Sequence, residues 1–207
     1  MKTTLALILK ILVLSATILS AEKTKITFVT GDEEYRSEES MPMLAQILKR
    51  DYGFDVSIAY SLDEKGFVNP NKVENVTGIE TLAKADLLVL FTRFRRWPEE
   101  KFEYFLDHVA KGKPIVGFRT ATHAFRYPEG HKHEAWNNEK IAELVGQKWI
   151  THHGHHGSQV LTKAKPIGAA KGHPILRGVK PFDAYSWLYH VQGGEDKLHG
   201  DSIPLVE

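Results

Sequence analysis

The sequence predicts an α/β protein with a doubly wound, mostly parallel sheet packed in three layers. Short β-rich segments alternate with amphipathic helical segments along the chain, which is the order that such a sheet requires. Residues 86–92 are apolar almost throughout, as expected for a central strand covered on both faces. Residues 114–118 form a second such run and lead into a threonine-rich turn that can cap a helix. Because open α/β sheets bind ligands at the carboxyl ends of their strands, we expect the functional site there.

The first half of the chain supplies most of this sheet. In order, the pattern predicts a strand at 25–30, a helix from near Ser40 with Pro42 in its first turn, a strand at 54–60, a weak helix at 73–83 and a strand at 86–92. We predict that the strands at 25–30, 86–91 and 114–118 are adjacent and parallel, because only doubly covered strands are so uniformly apolar.

The second half continues the alternation of helices and strands. In order, the pattern predicts a helix with Phe102, Phe105, Leu106 and Val109 on its apolar face, a polar and aromatic insertion at 127–137, a helix between Asn138 and Gly146, and a strand at 159–164. We expect the insertion to lie over the functional site.

Residues 1–21 have the pattern of a secretory signal peptide. Lys2 gives a positive start, residues 5–19 are almost wholly apolar, and Ala21 offers a small residue before the cleavage point. Lys10 interrupts the apolar stretch, and the alternative is an uncleaved N-terminal anchor. We expect an exported protein, periplasmic or extracellular, with no stable membrane partner and one domain over residues 22–207.

Composition excludes several classes of function. The chain has 207 residues and no cysteine, which rules out disulfides, thiolate catalysis and thiolate metal ligands. The formal net charge is +1, so the charge balance favours neither a nucleic acid nor an anionic membrane as partner. The remaining expectation is a small-molecule partner; the oligomeric state does not follow from the sequence.

Residues 117–121 follow the predicted strand and partly fit the G-x-Nu-x-G pattern of a nucleophile elbow. The position of the nucleophile holds Arg119, whose guanidinium cannot attack a substrate at neutral pH. The sequence therefore predicts the scaffold of an acyl-transfer enzyme without its nucleophile.

The histidines are the strongest local signal for chemistry. Imidazole is a common metal ligand and a general acid or base near neutral pH. We expect a divalent metal, Zn²⁺ before Mn²⁺ or Fe²⁺, bound by some of His123, His152, His153, His155 and His156. His123, His153 and Glu134 are the catalytic candidates. This requires residues 148–151 to form a strand toward the carboxyl edge; the alternative is a polar loop whose histidines bond the backbone.

Arginines and aromatic residues at the expected edge are the candidates for ligand binding. Guanidinium groups suit carboxylates, phosphates and sugar hydroxyls, and aromatic rings stack on sugars. The candidates are Glu34, Tyr35, Arg93, Arg95, Arg119, Trp136 and Tyr189. The alternatives are loop packing for the aromatic residues and structural ion pairs with acidic residues of the 32–39 loop for the arginines. We predict that a carboxylate of that loop, or Glu134, holds Arg119.

Several motifs together resemble the trehalose-utilisation (ThuA-like) family, in its exported bacterial branch. The motifs lie at residues 31–38, 91–97, 117–125, 133–137, 153–156 and 173–178, and the resemblance covers about residues 24–207. It implies a class I glutamine amidotransferase-like fold, related to flavodoxin, and a link to sugar utilisation. Members of the family continue beyond residues 187–189 with closing strands, so we expect this domain to lack them.

Two functional hypotheses follow. The first is an exported enzyme that acts on a sugar or sugar derivative with a histidine-rich, metal-binding or acid–base site. The second is a non-catalytic carbohydrate-binding module on an amidotransferase-like scaffold. A cysteine-dependent glutaminase is excluded, because the chain has no cysteine.

Overall fold

The computed structural model of the protein describes residues 22–152, 161–191 and 198–207. The predicted signal peptide at 1–21 and the candidates His153, His155 and His156 lie outside these ranges. Within the described ranges, the helices are all too short or too polar to cross a bilayer.

Four parallel strands form the central sheet, in the order β2-β1-β3-β4. Their bounds are β1 Lys25–Gly31, β2 Asp55–Ala59, β3 Leu87–Thr92 and β4 Ile115–Gly117. In the register, Phe28 lies opposite Val89, and Leu90 lies opposite Gly117. The prediction that the three strands at 25–30, 86–91 and 114–118 are neighbours and parallel is confirmed. Cover on both faces is wrong for residues 114–118, because β4 is the edge strand of the described sheet and Val116 is 43% exposed.

Three α-helices cover both faces of the sheet: α1 Ser37–Tyr52, α2 Glu99–Ala110 and α3 Glu139–Val145. The packing of strand β3 explains why its sequence is apolar throughout. Val89 and Phe91 pack in a cluster with α1, whereas Leu88 and Leu90 pack in a second cluster with α2 and α3. Because successive side chains of a strand point to opposite faces, both faces of β3 are buried. The predicted three-layer, flavodoxin-like architecture is therefore confirmed.

Two helix predictions need correction. Helix α1 begins at Ser37 rather than near Ser40, so Pro42 lies inside the helix and not in its first turn. The predicted helix at 73–83 is only a 3₁₀ helix, Ile79–Lys84. The backbone of Thr77 exchanges two hydrogen bonds with that of Tyr60, which holds the preceding segment in extended form and delays the helix.

The C-terminal part forms two small antiparallel ribbons outside the main sheet. Strand β5 (Trp149–His152) pairs with β8 (Tyr189–Val191), and β6 (Leu161–Ala164) pairs with β7 (Phe182–Tyr185). The predicted strands at 148–151 and 159–164 therefore exist in the described ranges, but neither extends the parallel sheet.

Candidate functional site

Strand β4 ends in a sharp turn that leads into the 3₁₀ helix Arg119–His123. Arg119 has φ of 44°, in the left-handed region that residues with a Cβ rarely adopt. A Cβ atom at Gly117 would lie 3.1 Å from the Cβ of Ala121, so the turn needs a small residue on each side. This is the tight geometry of a nucleophile elbow, with an arginine in the nucleophile position.

Asp32, directly after β1, fixes this turn from the neighbouring loop. Its side chain is fully buried. One carboxylate oxygen accepts hydrogen bonds from the backbone N–H groups of Glu34 (2.8 Å) and Tyr35 (2.9 Å), and the other accepts from the Thr120 hydroxyl. Sequence reasoning missed Asp32 as a site residue. The available signal was an aspartate at the carboxyl end of the first strand.

Arg93 and Arg95 have structural partners, as the alternative interpretation expects. Arg93 forms ion pairs with Glu33 and, at 2.9 Å, with Glu34. Arg95 has no exposed side-chain surface, forms an ion pair with Glu33 at 3.0 Å, and donates to the carbonyl of Pro70 at 2.6 Å. Burial lowers the pKa of Arg95, and the charge of Glu33 opposes that shift. Arg95 thus has a structural role in this loop, and its part in ligand binding stays a prediction.

Arg119 is held by two tyrosines. Its guanidinium carbon lies 4.7 Å from the ring centre of Tyr35 and 4.2 Å from that of Tyr189. The guanidinium also donates a hydrogen bond of 3.0 Å to the Tyr35 hydroxyl. No carboxylate of the described residues forms an ion pair with it, so the prediction of a carboxylate partner is wrong for this part of the chain. Glu33 and Glu34 already pair with other arginines, and aromatic faces attract the cation instead.

A cleft of about 340 Å³ opens beside the turn. Its polar lining comes from Arg119, Thr122, Gln147 and Tyr189, and its apolar lining from Ala121, Val145 and Leu188. This volume lies at the lower end of the range for small-molecule sites, and a few polar groups over apolar walls are typical of such sites. The predicted ligand-binding residues Arg119 and Tyr189 therefore do share one cleft.

His123, in the same 3₁₀ helix as Arg119, lies in a group of aromatic rings that includes Tyr189 of the cleft lining. Its side chain is 4% exposed, and its ring centre is 4.3 Å from that of Trp149 and 5.6 Å from that of Tyr189. Burial lowers the pKa of His123 to about 3, with smaller contributions from the charges of Arg93, Arg119 and His152. The imidazole is therefore neutral near pH 7, and its Nδ1 shares a hydrogen bond of 3.1 Å with the Thr122 hydroxyl.

Strand β5 ends at His152, which lies opposite Tyr189 of β8 in the antiparallel register. The ring centre of Tyr189 is 5.6 Å from that of His123, so both candidate metal ligands adjoin the same tyrosine. Within residues 22–152, 161–191 and 198–207, however, His, Asp and Glu side chains do not form a group of three or more that could hold a metal ion. The metal site therefore stays a prediction, since three of its candidate ligands lie outside these ranges.

Two further candidates lie elsewhere. Glu134 is exposed in the 3₁₀ turn Glu134–Trp136, and its carboxylate accepts a hydrogen bond from the Gly130 N–H at 2.7 Å. Trp136 is 8% exposed and packs on Phe105, with ring centres 5.2 Å apart. The insertion at 127–137 thus buries its tryptophan in the core, because a large aromatic ring gains more from burial than from a surface position. Neither residue lines the cleft beside Arg119.

The fold and this site define an α/β protein with a ligand-sized cleft at an elbow-like turn of a parallel sheet. No family profile and no curated protein matches the sequence. Among solved structures, the chain is similar to a protein from Parabacteroides merdae described as ThuA-like, with a TM-score of 0.52 and 20% sequence identity. The similarity covers 81% of this chain and 63% of that chain, so this chain spans less than two thirds of its length. At this identity the comparison confirms the resemblance to ThuA-like proteins at the level of the fold.

Proposed function

We propose that the protein takes part in carbohydrate utilisation by binding a small carbohydrate in the cleft beside Arg119. The single observation that carries this proposal is the guanidinium held between Tyr35 and Tyr189, where Tyr189 also lines the cleft. The fold shared with a ThuA-like protein supports the same class of ligand.

The cleft has the groups that a sugar needs. Arg119 lies over one face of the Tyr189 ring, and the other face is the one that would stack on the apolar side of a sugar ring. Arg119 and Gln147 can donate hydrogen bonds to sugar hydroxyls, and Thr122 can donate or accept them. Arg119 stands where an acyl-transfer enzyme has its nucleophile, which favours binding without covalent catalysis.

A second candidate function is a sugar-modifying enzyme, and the neutral His123 near His152 favours it. Neutral imidazole can accept a proton from a sugar hydroxyl or coordinate a divalent cation. In this version, His123, His152 and the histidines at 153, 155 and 156 act as acid and base or hold Zn²⁺. Elemental analysis of the purified protein tests for the metal, and turnover of a bound sugar distinguishes the enzyme from the binding module.

The binding proposal is tested by titrating glucose, galactose, mannose and trehalose into the protein, followed by NMR. We expect Tyr189→Ala to weaken binding by about tenfold or more. Loss of a stacked ring costs on the order of 1 kcal/mol in addition to the free energy of burying the ring surface. Tyr185→Ala is the matched control, since Tyr185 is 78% exposed in strand β7 and lies outside the cleft lining. Equal affinity of the two variants for every sugar contradicts the placement of the site.

We also propose that the protein is exported, on the signal-like pattern of residues 1–21. N-terminal sequencing of protein from its native host tests this. A start near residue 22 supports export with cleavage, whereas an intact Met1 on membrane-bound protein supports the anchor.

A further inference from the structure

We infer that the carbohydrate ligand carries a single carboxylate, as in a uronic acid, and that Arg119 pairs with it. This inference rests on the proposed sugar-binding function and names the substrate class of the same cleft. It starts from the charges around the elbow-like turn.

Arg119 differs from its neighbours in having no carboxylate partner among residues 22–152, 161–191 and 198–207. Most other arginines of the described ranges are neutralised within the chain; these are Arg36, Arg50, Arg93, Arg95 and Arg96. Arg126 and Arg177 have no such partner either, but both side chains are exposed to water. Arg119 is half-buried, so water compensates its charge less well.

The acidic residues near Arg119 are already engaged. Glu33 pairs with Arg93 and Arg95, and Glu34 pairs with Arg93. Asp32 accepts from two backbone N–H groups and from Thr120. Among the described residues, the hydrogen-bond acceptor of the Arg119 guanidinium is a neutral phenol. A half-buried cation without a counter-charge is costly, and a ligand carboxylate in the cleft would pair with it.

The backbone conformation of Arg119 is a second indication that this side chain has a functional role. Arg119 is one of three residues other than glycine with positive φ in the described ranges, and it lines the cleft. Such a conformation costs of order 1–3 kcal/mol and persists where the surrounding structure enforces it. Here the two tyrosine rings hold the cation in place before any ligand arrives.

The charge balance favours a carboxylate over a phosphate. One guanidinium supplies one positive charge, which matches one carboxylate in a bidentate pair. A phosphate monoester carries nearly two negative charges. A single guanidinium would leave one of them without a partner in the cleft, whereas a carboxylate is matched in full.

The experiment compares matched ligands on the full chain by calorimetric titration. Sodium glucuronate, galacturonate and mannuronate are tested against glucose, galactose, mannose and glucose 6-phosphate. We expect at least one uronate to bind about tenfold or more tightly than its parent sugar, as a charge-assisted hydrogen bond allows, and to weaken with added NaCl. Arg119→Met should abolish the preference and Arg119→Lys should reduce it, whereas Arg177→Met, an exposed control, should leave it unchanged.

Each other outcome decides between the two proposals. If parent sugars bind as tightly as their uronates, the carboxylate inference is overturned and the sugar site stands. If glucose 6-phosphate binds more tightly than every uronate, the single negative charge is wrong. If none of these ligands nor trehalose binds, both proposals fall. Should Arg119→Met not fold, the salt dependence of uronate binding to the wild type decides: binding that ignores NaCl overturns the inference.

Discussion

The Thr120 hydroxyl donates a hydrogen bond to the buried carboxylate of Asp32, across a sequence separation of 88 residues. This contact joins the loop after β1 to the turn after β4, although β3 lies between these strands in the sheet. The two loops that supply Tyr35 and Arg119 to the site therefore share one buried link.

We expect Thr120→Val to lower the free energy of unfolding by about 1–3 kcal/mol, because it leaves a buried carboxylate oxygen without its hydroxyl donor. The change keeps the shape of the side chain, so little packing is lost. Urea unfolding measures the effect, with the exposed Thr24→Val as control. A loss as small as that of the control would show that Asp32 does not depend on Thr120.

Arg95 and Arg119 should differ in their importance for stability. Arg95→Met breaks a buried ion pair with Glu33 and should cost about 3 kcal/mol or more. Arg119→Met removes only cation–π contacts and one hydrogen bond to Tyr35, so about 1–2 kcal/mol is expected. Thermal and urea unfolding of both variants compares them. The reverse order would mean that Arg119 has an ionic partner outside the described ranges.

Gly117→Ala should lower the free energy of unfolding by about 1–3 kcal/mol through overpacking at the elbow-like turn. The added methyl group would lie 3.1 Å from the Cβ of Ala121 and 3.5 Å from a methyl carbon of Val145. Gly168→Ala is the matched control, because a Cβ there meets no atom within 4 Å. The double variant with Ala121→Gly should recover part of the loss; equal effects of the two single variants would argue against a tight turn.

Stability should fall as the pH drops from about 6.5 toward 3. Burial holds the pKa of His123 in the folded protein at about 3, against 6.5 for an ordinary histidine. Between these pH values the imidazole is protonated in the unfolded chain and neutral in the folded chain. Each unit by which the pH falls therefore lowers the free energy of unfolding by about 1.4 kcal/mol through this group. Above pH 6.5 both states are neutral, and the effect vanishes.

The measurement is urea unfolding at several pH values. His108 also has a pKa lowered by burial and acts in the same direction, so the comparison is with a variant rather than with zero slope. His123→Phe should flatten the profile below pH 6.5, and the exposed His131→Phe serves as control. An unchanged slope in His123→Phe would mean that His123 is accessible to protons in the folded state.

The sequence was sufficient for the sheet and the elbow-like turn, because both follow from local patterns. The apolar run at 86–92 requires cover on both faces, and a glycine two residues before Arg119 allows the turn. The predicted carboxylate partner of Arg119 is wrong, because Glu33 and Glu34 pair with Arg93 and Arg95 instead. This pairing depends on the distances between loops that are far apart in the sequence, and the periodicity of apolar residues does not predict those distances.

The candidate residues of the insertion illustrate a different limit. Aromatic residues in a polar segment suit sugar binding and core packing equally well by composition. Trp136 is buried against Phe102 and Phe105, whereas Tyr189 lines the cleft, and only the tertiary structure separates the two cases.

The two tyrosines around Arg119 have a consequence for the kinetics of recognition. A free arginine side chain carries about 2 kcal/mol of rotamer entropy, which a ligand would normally have to remove on binding. Here Tyr35 and Tyr189 remove much of it when the chain folds. Association at this cation should therefore be governed by the encounter with the ligand rather than by rearrangement of the protein, and affinity differences between ligands should appear mainly in their dissociation rates.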